Sequence, residues 1–309
     1  MDEKPNAPPH LLFFPLPAQG PVNSMFKLAE LLCLEGLQVT FLVTEYIHHR
    51  LLNFSNIQSR LQSCHGFQLQ AITDGLPDGH SRSADSFLEV LNSLKLNTMP
   101  LLKELLTSGS FRSDEGSSQQ PVTGMVADGL MGFTFDVASE IGIPIFYVRT
   151  IGPCSLWTFF CLPKLIDSGE LPPLDAINTS DDDIDKLVKG VPGTESFLRR
   201  RDLPRFSTLG DAAYPFLQLL KKEGEEVPKA HGLILNTFEE LDGPLLSHLG
   251  SSCRNLYTIG PFHAHLKTKR SALSTTEPTA STRGSSSSNF QRLITDIQFM
   301  TGEVGRHNP

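Results

Sequence analysis

The first place in this sequence where chemistry could happen is a turn. Leu11-Leu12-Phe13-Phe14 is an apolar run with the length of a buried strand. Pro15, Pro17 and Gly20 break it, and Pro21 stands where a helix can begin, because its missing N–H has no partner in a first turn. A strand, tight turn and helix in that order aim a helix N-terminus at the crevice above the strand ends, where open α/β sheets receive anionic ligands. The spacing is not GxGxxG, so the turn is no generic dinucleotide fingerprint. A second candidate is Asp128, which follows the apolar run Val122 to Ala127 and precedes Gly129. Read alone it is a helix N-cap or turn aspartate. Thr150, after the run Ile143 to Val148, likewise reads as a helix cap, and Gly20 as a residue that simply allows its turn. Met131, Phe133, Trp157 and Phe160 are apolar residues at helical spacing, the ordinary signature of core. His10, His48, His49 and His80 are expected on the solvated surface. Asp181-Asp182-Asp183 could suggest a metal but reads as a solvated loop, and no metal site is expected.

The elements that must position these residues alternate. Met25, Leu28, Ala29 and Leu32 give the first helix one apolar face, and Gly36 ends it. Gln38 to Val43, Phe67 to Ile72, Val122 to Ala127 and Ile143 to Val148 read as further strands. Between them lie helices over Tyr46 to Phe54, Asp85 to Leu106, with Pro100 as a kink, and Phe133 to Ile141. At least four strand–helix alternations within the first 150 residues predict an α/β fold with a doubly wound parallel sheet. A helix over Ile151 to Leu165, another over Ala212 to Lys222, a strand at Gly232 to Leu235, a helix from Phe238 to Leu249 and a strand at Leu256 to Ile259 follow. Ser271 to Ser288 is Ser, Thr, Gly, Pro and charge with almost nothing to bury, which predicts disorder; Phe290 to Met300 offers at most a weak amphipathic turn or two.

The chain has 309 residues, 39% apolar and 19% charged, enough for one large domain or two. Its net charge of −8 argues against a nucleic-acid partner, which demands a basic face. Five cysteines without a CxxC or a Cys/His cluster give neither a disulfide framework nor a zinc site, and read as reduced thiols of a cytoplasmic protein. The acidic, proline-rich start MDEKPNAPPH is no signal peptide, and no apolar run reaches membrane-spanning length.

Several blocks carry a family resemblance. HLLFFPLPAQGPVNSMFKLAELL, ADGLMGFTFDVASEIGIP at Ala127 to Pro144, VRTIGPCSLWTFFCLPKLIDSGELPP at Val148 to Pro173, VPGTESFLRRRDLPRF, GLILNTFEELDGPLLSHL and NLYTIGPFHAHLK stand in order from His10 to Lys267. They resemble the plant family-1 UDP-glycosyltransferases, and among these the subgroup that glucosylates iridoid acids such as 7-deoxyloganetic acid. The resemblance implies the Rossmann-like, acceptor-binding N-terminal half of a GT-B glycosyltransferase over residues 10–267, after an extension over 1–9. The donor-binding C-terminal half of the family has no counterpart in the sequence, and 268–309 resembles nothing in it, a low-complexity tail expected to be disordered.

The implied reaction moves glucose from UDP-glucose, a co-substrate rather than a cofactor, to a hydroxyl or carboxyl of a small secondary metabolite with inversion. In the family a histidine takes the acceptor proton and an aspartate orients it, the logic of a base–orienter pair. Asp128 matches the aspartate. Pro21 stands in the histidine's position, and losing a general base costs roughly 10²–10⁴ in rate. Gly20 matches a position whose backbone approaches the UDP phosphates, and Thr150 one that contacts the transferred sugar. Met131, Phe133, Trp157 and Phe160 would then line an acceptor pocket. The resemblance implies a glucosyltransferase that is inactive as this chain; the alternatives are a non-catalytic module that binds an acceptor, itself or a complete glycosyltransferase, and a truncated or decayed gene product. Apolar groups around Met131 and Trp157, left without a facing domain, would favour self-association.

Overall fold

The computed structural model describes residues 8–55, 57–61, 64–109, 120–171, 184–204, 213–274 and 285–304. Seven strands form one sheet: β1 (His10–Phe14), β2 (Gln38–Thr44), β3 (Phe67–Ile72), β4 (Gly124–Asp128), β5 (Ile145–Arg149), β6 (Gly232–Leu235) and β7 (Leu256–Thr258). Every pairing is parallel, in the order β3-β2-β1-β4-β5-β6-β7. The chain winds outward from β1 to β3, returns to place β4 against the other side of β1, and winds outward again. The carboxyl ends of β1 and β4 therefore flank the topological switch point, where ligands bind in such sheets.

Both faces of the sheet are covered, which is why its strands read as continuous apolar runs. Leu11 and Phe13 point into one core, Leu12 and Phe14 into the other, as pleating demands. The first face carries α1 (Gln19–Leu34), which buries Met25, Leu28, Ala29 and Leu32 as its spacing predicted. The second carries α4 (Phe87–Ser93), α5 (Met99–Ser108) and α6 (Phe133–Ile141), in chain order after α2 (Glu45–Phe54) and the short α3 (Ile57–Leu61). The expected kink at Pro100 is a π turn over Leu94–Thr98 that joins α4 to α5. Proline has no N–H and crowds the carbonyl four residues back, so the chain widens by one residue there. A third cluster packs α7 (Pro153–Asp167) on α8 (Ala213–Glu226) with Val188, Val191 and Leu198. The helix α9 (Glu239–Ser252) follows β6, as the sequence predicted within three residues.

The C-terminal part differs from expectation. The anticipated boundary at Lys267 falls inside a helix, α10 (Phe262–Ser274), and α11 (Ser285–Val304) is a long helix rather than a turn or two. Residues 275–284 of the stretch expected to be disordered lie outside the described residues. Leu293, Ile294 and Ile297 of α11 are buried in the same core as Phe146, Tyr257 and Phe262. The Tyr257 hydroxyl donates to Asp296 Oδ2 at 2.7 Å, and Asn289 to Thr258 Oγ1 at 2.9 Å. Composition pointed the wrong way because three apolar side chains on one stripe cannot hold a lone helix, yet they suffice against an apolar sheet face. The helix α10 is tied to α1 as well: Lys269 pairs with Glu35 at 2.7 Å, and Arg270 pairs with the buried Glu30.

Candidate active site at the sheet's carboxyl edge

Gly20 and Pro21 follow β1, Asp128 ends β4 and Thr150 follows β5, so all four stand on the carboxyl side of the sheet. The helix α1 starts at Gln19, not Pro21; its first helical bond runs from Val22 N–H to the Ala18 carbonyl at 3.1 Å. Pro21 thus falls in the first turn, where a missing N–H removes nothing. Gly20 is exposed and Pro21 half-buried. Thr150 follows β5 and does not cap α7, whose N-cap is Gly152 with no side-chain bond.

Asp128 ends β4 opposite Val148 of β5 and is completely buried. Its Oδ1 accepts from the Leu130 N–H at 3.0 Å, an Asx turn, so the turn reading of this aspartate holds. The same oxygen accepts from Arg149 Nη1 at 3.1 Å, while Oδ2 is buried without a partner among the described residues. Arg149, the last residue of β5, reaches on to Glu223 of α8. Its Nη2 donates to Glu223 Oε2 at 3.3 Å and its Nε pairs with Oε1. The three side chains are 2% exposed or less. Burial pushes the Asp128 carboxyl above its ordinary range, and the charge and hydrogen bonds of Arg149 offset only part of this. Burial pushes Glu223 up to about 7, with Arg149 pulling down and the neighbouring Asp128 charge pushing further up. One buried guanidinium thus serves two carboxylates. The arrangement explains Gly129: a Cβ there would stand 2.7 Å from Arg149 Cδ.

His10 corrects the surface reading. It opens β1 fully buried, its ring nitrogens 2.7 Å from the Gln120 carbonyl and 2.8 Å from Thr40 Oγ1. It lies at the amino end of the sheet, away from Asp128, and so cannot serve as a base at the carboxyl edge. His80 is partly buried too, 3.1 Å from Glu89.

The four residues expected to line an acceptor pocket lie in or against the second core. Met131 is fully buried in the second core, and Phe133 borders a small cavity of about 150 Å³ with Leu130, Glu223 and Glu226. Trp157 stacks on His248, with ring centroids 5.4 Å apart, and donates to the Pro192 carbonyl at 3.0 Å; Phe160 meets it edge-on at 6.3 Å. Met131 has no exposed surface, and Trp157 is partly exposed. A larger cleft, about 670 Å³, opens beside the α1 N-terminus, between residues of the 16–23 stretch, α2 and residues 82–90. The sequence reading missed this cleft and both Arg149 and Glu223. A usable signal existed for Arg149, a charge closing the apolar run IFYV next to a chain position that feeds the same edge as Asp128.

One wall of the cleft is held by Arg82, the one non-glycine residue at positive φ (46°) among those described. Its Nε and Nη2 donate to the two oxygens of Asp74 at 2.9 and 3.0 Å, and the rest of the guanidinium to the carbonyls of Leu76, Pro77 and His80 at 2.8–2.9 Å. This network overdetermines the strained backbone and fixes the 74–82 loop in place. Burial acts to raise the Asp74 pKa, but the Arg82 bonds, the Leu76 N–H and the Arg82 charge outweigh it, and the net shift is downward. Among the described residues no cluster of His, Cys, Asp or Glu could hold a metal ion, and no helix is long and apolar enough to cross a membrane.

No family model matches the chain. Over 267 residues it is 46% identical to 7-deoxyloganetic acid glucosyl transferase of Catharanthus roseus, a match covering 86% of this chain and 54% of that protein. It is 36% identical over 261 residues to a myricetin 3-O-rhamnoside 1,2-glucosyltransferase of Crocosmia x crocosmiiflora, covering 84% and 52%. A UDP-glucose:anthocyanidin 3-O-glucosyltransferase crystallised with UDP superposes with a TM-score of 0.61 at 20% identity, over 82% of this chain and 52% of that one. A Polygonum tinctorium UDP-glucosyltransferase capable of glucosylating indoxyl gives 0.61 at 23% identity, over 84% and 54%. The chain spans about half the length of the curated relatives it matches. The fold is thus the doubly wound N-terminal half of a GT-B glycosyltransferase. The chain is similar to plant UDP-glycosyltransferases as a counterpart of about half of their length, which fits their N-terminal half.

Proposed function

We propose that this chain binds a small plant secondary metabolite of the iridoid or terpenoid type at the carboxyl edge of its sheet. In the family reaction, glucose passes from UDP-glucose to a hydroxyl or carboxyl of that acceptor with inversion. The observation that carries the reading is the Asp128 carboxylate. It sits at the switch point, held by Leu130 and Arg149 through Oδ1, with Oδ2 buried and unpartnered among the described residues. A carboxylate placed so can orient an imidazole and balance its positive charge while the imidazole removes an acceptor proton. We take position 21 to face it, because the turn before α1 that holds it follows β1, the strand beside β4. Proline there can take no proton. The acceptor hydroxyl would remain protonated as the sugar–phosphate bond breaks on the opposite face, so we propose that the chain binds acceptor without turning it over. Gly20 and Thr150, on the same edge, are proposed to face the diphosphate and the transferred sugar, and Phe133, Trp157 and Phe160 to bound the acceptor space on the α7–α8 side. Met131, wholly buried, would act only as support.

Incubation with UDP-glucose and a panel of iridoid, phenolic and terpenoid alcohols and acids, read by mass spectrometry and by calorimetric binding, tests this. Binding without glucoside is expected. Turnover of about 1 s⁻¹ or more, ordinary for an enzyme, would refute the inactivity; failure of every acceptor to bind would refute the binding reading.

A further inference from the structure

We propose that Cys33 and Cys64 form a redox site: a disulfide closes between them when the chain meets a small disulfide oxidant such as oxidised glutathione. The sequence carries no motif for it, because the two cysteines stand far apart in the chain and belong to no CxxC. The fold brings them together. Cys33 sits in the last turn of α1, and Cys64 in the turn that leads from α3 into β3. Cys33 Sγ lies 3.4 Å from the carbonyl oxygen of His65, the residue after Cys64, and the two thiols are within hydrogen-bonding reach of each other. Both residues are buried, and both thiols are free.

Each sulfur is held through its own backbone. The Cys33 carbonyl accepts from the Gly36 N–H at 2.9 Å. The Cys64 N–H donates to the Leu61 carbonyl at 3.0 Å, and the Cys64 carbonyl accepts from the Phe67 N–H at 3.2 Å, around Gly66 at positive φ (92°). A thiol pair fixed in this way has little freedom left to lose when the bond forms. The two are not equivalent. The Cys64 contact, burial and the charge of Glu30, one turn earlier in α1, push the Cys33 thiol up, so Cys33 does not attack first. Cys64 borders the surface beside the exposed His65 and Gly66, so it is the group a small oxidant reaches when this turn opens.

The Cys64 thiolate attacks one sulfur of oxidised glutathione and releases one glutathione thiolate, leaving the other glutathione joined to Cys64. Cys33 then gives up its proton, attacks the Cys64 sulfur and releases the second glutathione. The protein loses two thiol protons and two electrons, and one oxidised glutathione becomes two glutathione thiols. The new bond ties the end of α1 to the start of β3, the edge strand of the sheet, and closes a ring that contains β2, α2 and α3. The pair lies at the amino end of the sheet, opposite the carboxyl edge that holds Asp128, so its fate is separate from that of the acceptor-binding reading.

Titrating the full 309-residue chain with oxidised glutathione in native buffer, then alkylating the remaining thiols and mapping unreduced tryptic peptides by mass spectrometry, tests the proposal. One cross-link is expected, between peptides 28–50 and 61–82, with Cys154, Cys161 and Cys253 alkylated. The melting temperature should rise by roughly 5–10 °C, the effect of closing a loop of about thirty residues, and dithiothreitol should reverse it. Cys33→Ser should keep glutathione on Cys64, whereas Cys64→Ser should take up none on Cys33, and neither variant should gain stability from a cross-link. Each variant is compared with itself with and without oxidant, so a fold weakened by the substitution does not imitate the effect. No cross-link at any ratio of oxidised to reduced glutathione, a cross-link through another cysteine, or one that forms only in urea overturns the proposal. Glutathione found on Cys33 of Cys64→Ser overturns the assigned order of attack.

Discussion

Replacing Glu223 with glutamine should change how stability depends on pH, in a direction opposite to that of most carboxylates. Glu223 is buried at 2% exposure and its pKa is raised from 4.5 to about 7, chiefly by burial. The folded chain therefore holds this proton more tightly than the unfolded chain does. The group's contribution favours folding fully below about pH 4.5 and is lost as pH rises through 7. Forcing it to ionise in place costs the folded state about 3 kcal/mol, at ~1.36 kcal/mol per pKa unit. Glu223→Gln keeps an acceptor for Arg149 and removes the titration. Urea unfolding of both proteins at pH 5, 6, 7 and 8 isolates the group, because titrations not coupled to it cancel in the difference and only that of the neighbouring Asp128 travels with it. At pH 5 the unfolded glutamate is already mostly ionised, so part of the cost falls below the range measured. The variant should gain about 2.5 kcal/mol on the native protein between pH 5 and 8, or roughly 5–10 °C in Tm. A constant difference across that range, or one in which the variant loses ground at high pH, would mean that Glu223 is ionised throughout and that Arg149 outweighs desolvation.

Arg149→Met strands Asp128 and Glu223 in the interior; unfolding free energy should fall by about 3–5 kcal/mol at pH 8, and the triple change with Asp128→Asn and Glu223→Gln should recover most of it. Denaturant curves at one pH check both. Leu293→Ala, at a side chain with no exposed surface, should cost about 2–5 kcal/mol if α11 is docked as described, and a few tenths at most if it is detached. Hydrogen exchange over 285–304 should follow the same split. Arg82→Ala should lower both the melting temperature and ligand affinity, since one guanidinium fixes the 74–82 loop; loss of affinity alone would contradict its structural role.

The parts of the fold that could be read from sequence are those in which one short segment determines its own burial. LLFF, QVTFLV and GLIL are apolar on both sides and can lie only inside a covered parallel sheet. The Gly142 that ends α6 has the left-handed conformation its position demands, with φ of 77°. What could not be read depends on partners far along the chain. Arg149 and Glu223 are 74 residues apart, and neither residue alone announces a buried ion pair. The stripe of Leu293, Ile294 and Ile297 is too thin to signal a helix until the sheet face beneath it is known. His10 reads as a surface residue only if β1 is taken to begin after it; the Thr40 and Gln120 partners that bury it come from elsewhere. Trp157 and Phe160 have helical spacing, and spacing does not say that His248 and the Pro192 carbonyl will meet the indole.

The position of Arg149 bears on why Pro21 is tolerated. A buried carboxylate stripped of a cationic partner is strongly destabilising, by about 3–5 kcal/mol. Were an imidazolium the sole counter-charge of Asp128, its replacement by proline would carry that penalty. Here Arg149 supplies the counter-charge through Oδ1, so what proline leaves behind is the single unpartnered oxygen Oδ2, a loss nearer ~1–3 kcal/mol. On the proposed reading of position 21, the fold can therefore do without a base there and still keep its aspartate. Pro21→His should then raise stability slightly through a new hydrogen bond to Oδ2. The introduced imidazole should also titrate at a lower pH than it would beside an unshared carboxylate, because Arg149 already claims part of the Asp128 charge. Nuclear magnetic resonance titration of that imidazole, in the Pro21→His single variant and in the double variant with Arg149→Gln, measures this directly. A higher pKa in the double variant is the expected result. Equal values would show that the imidazole and the guanidinium do not share Asp128.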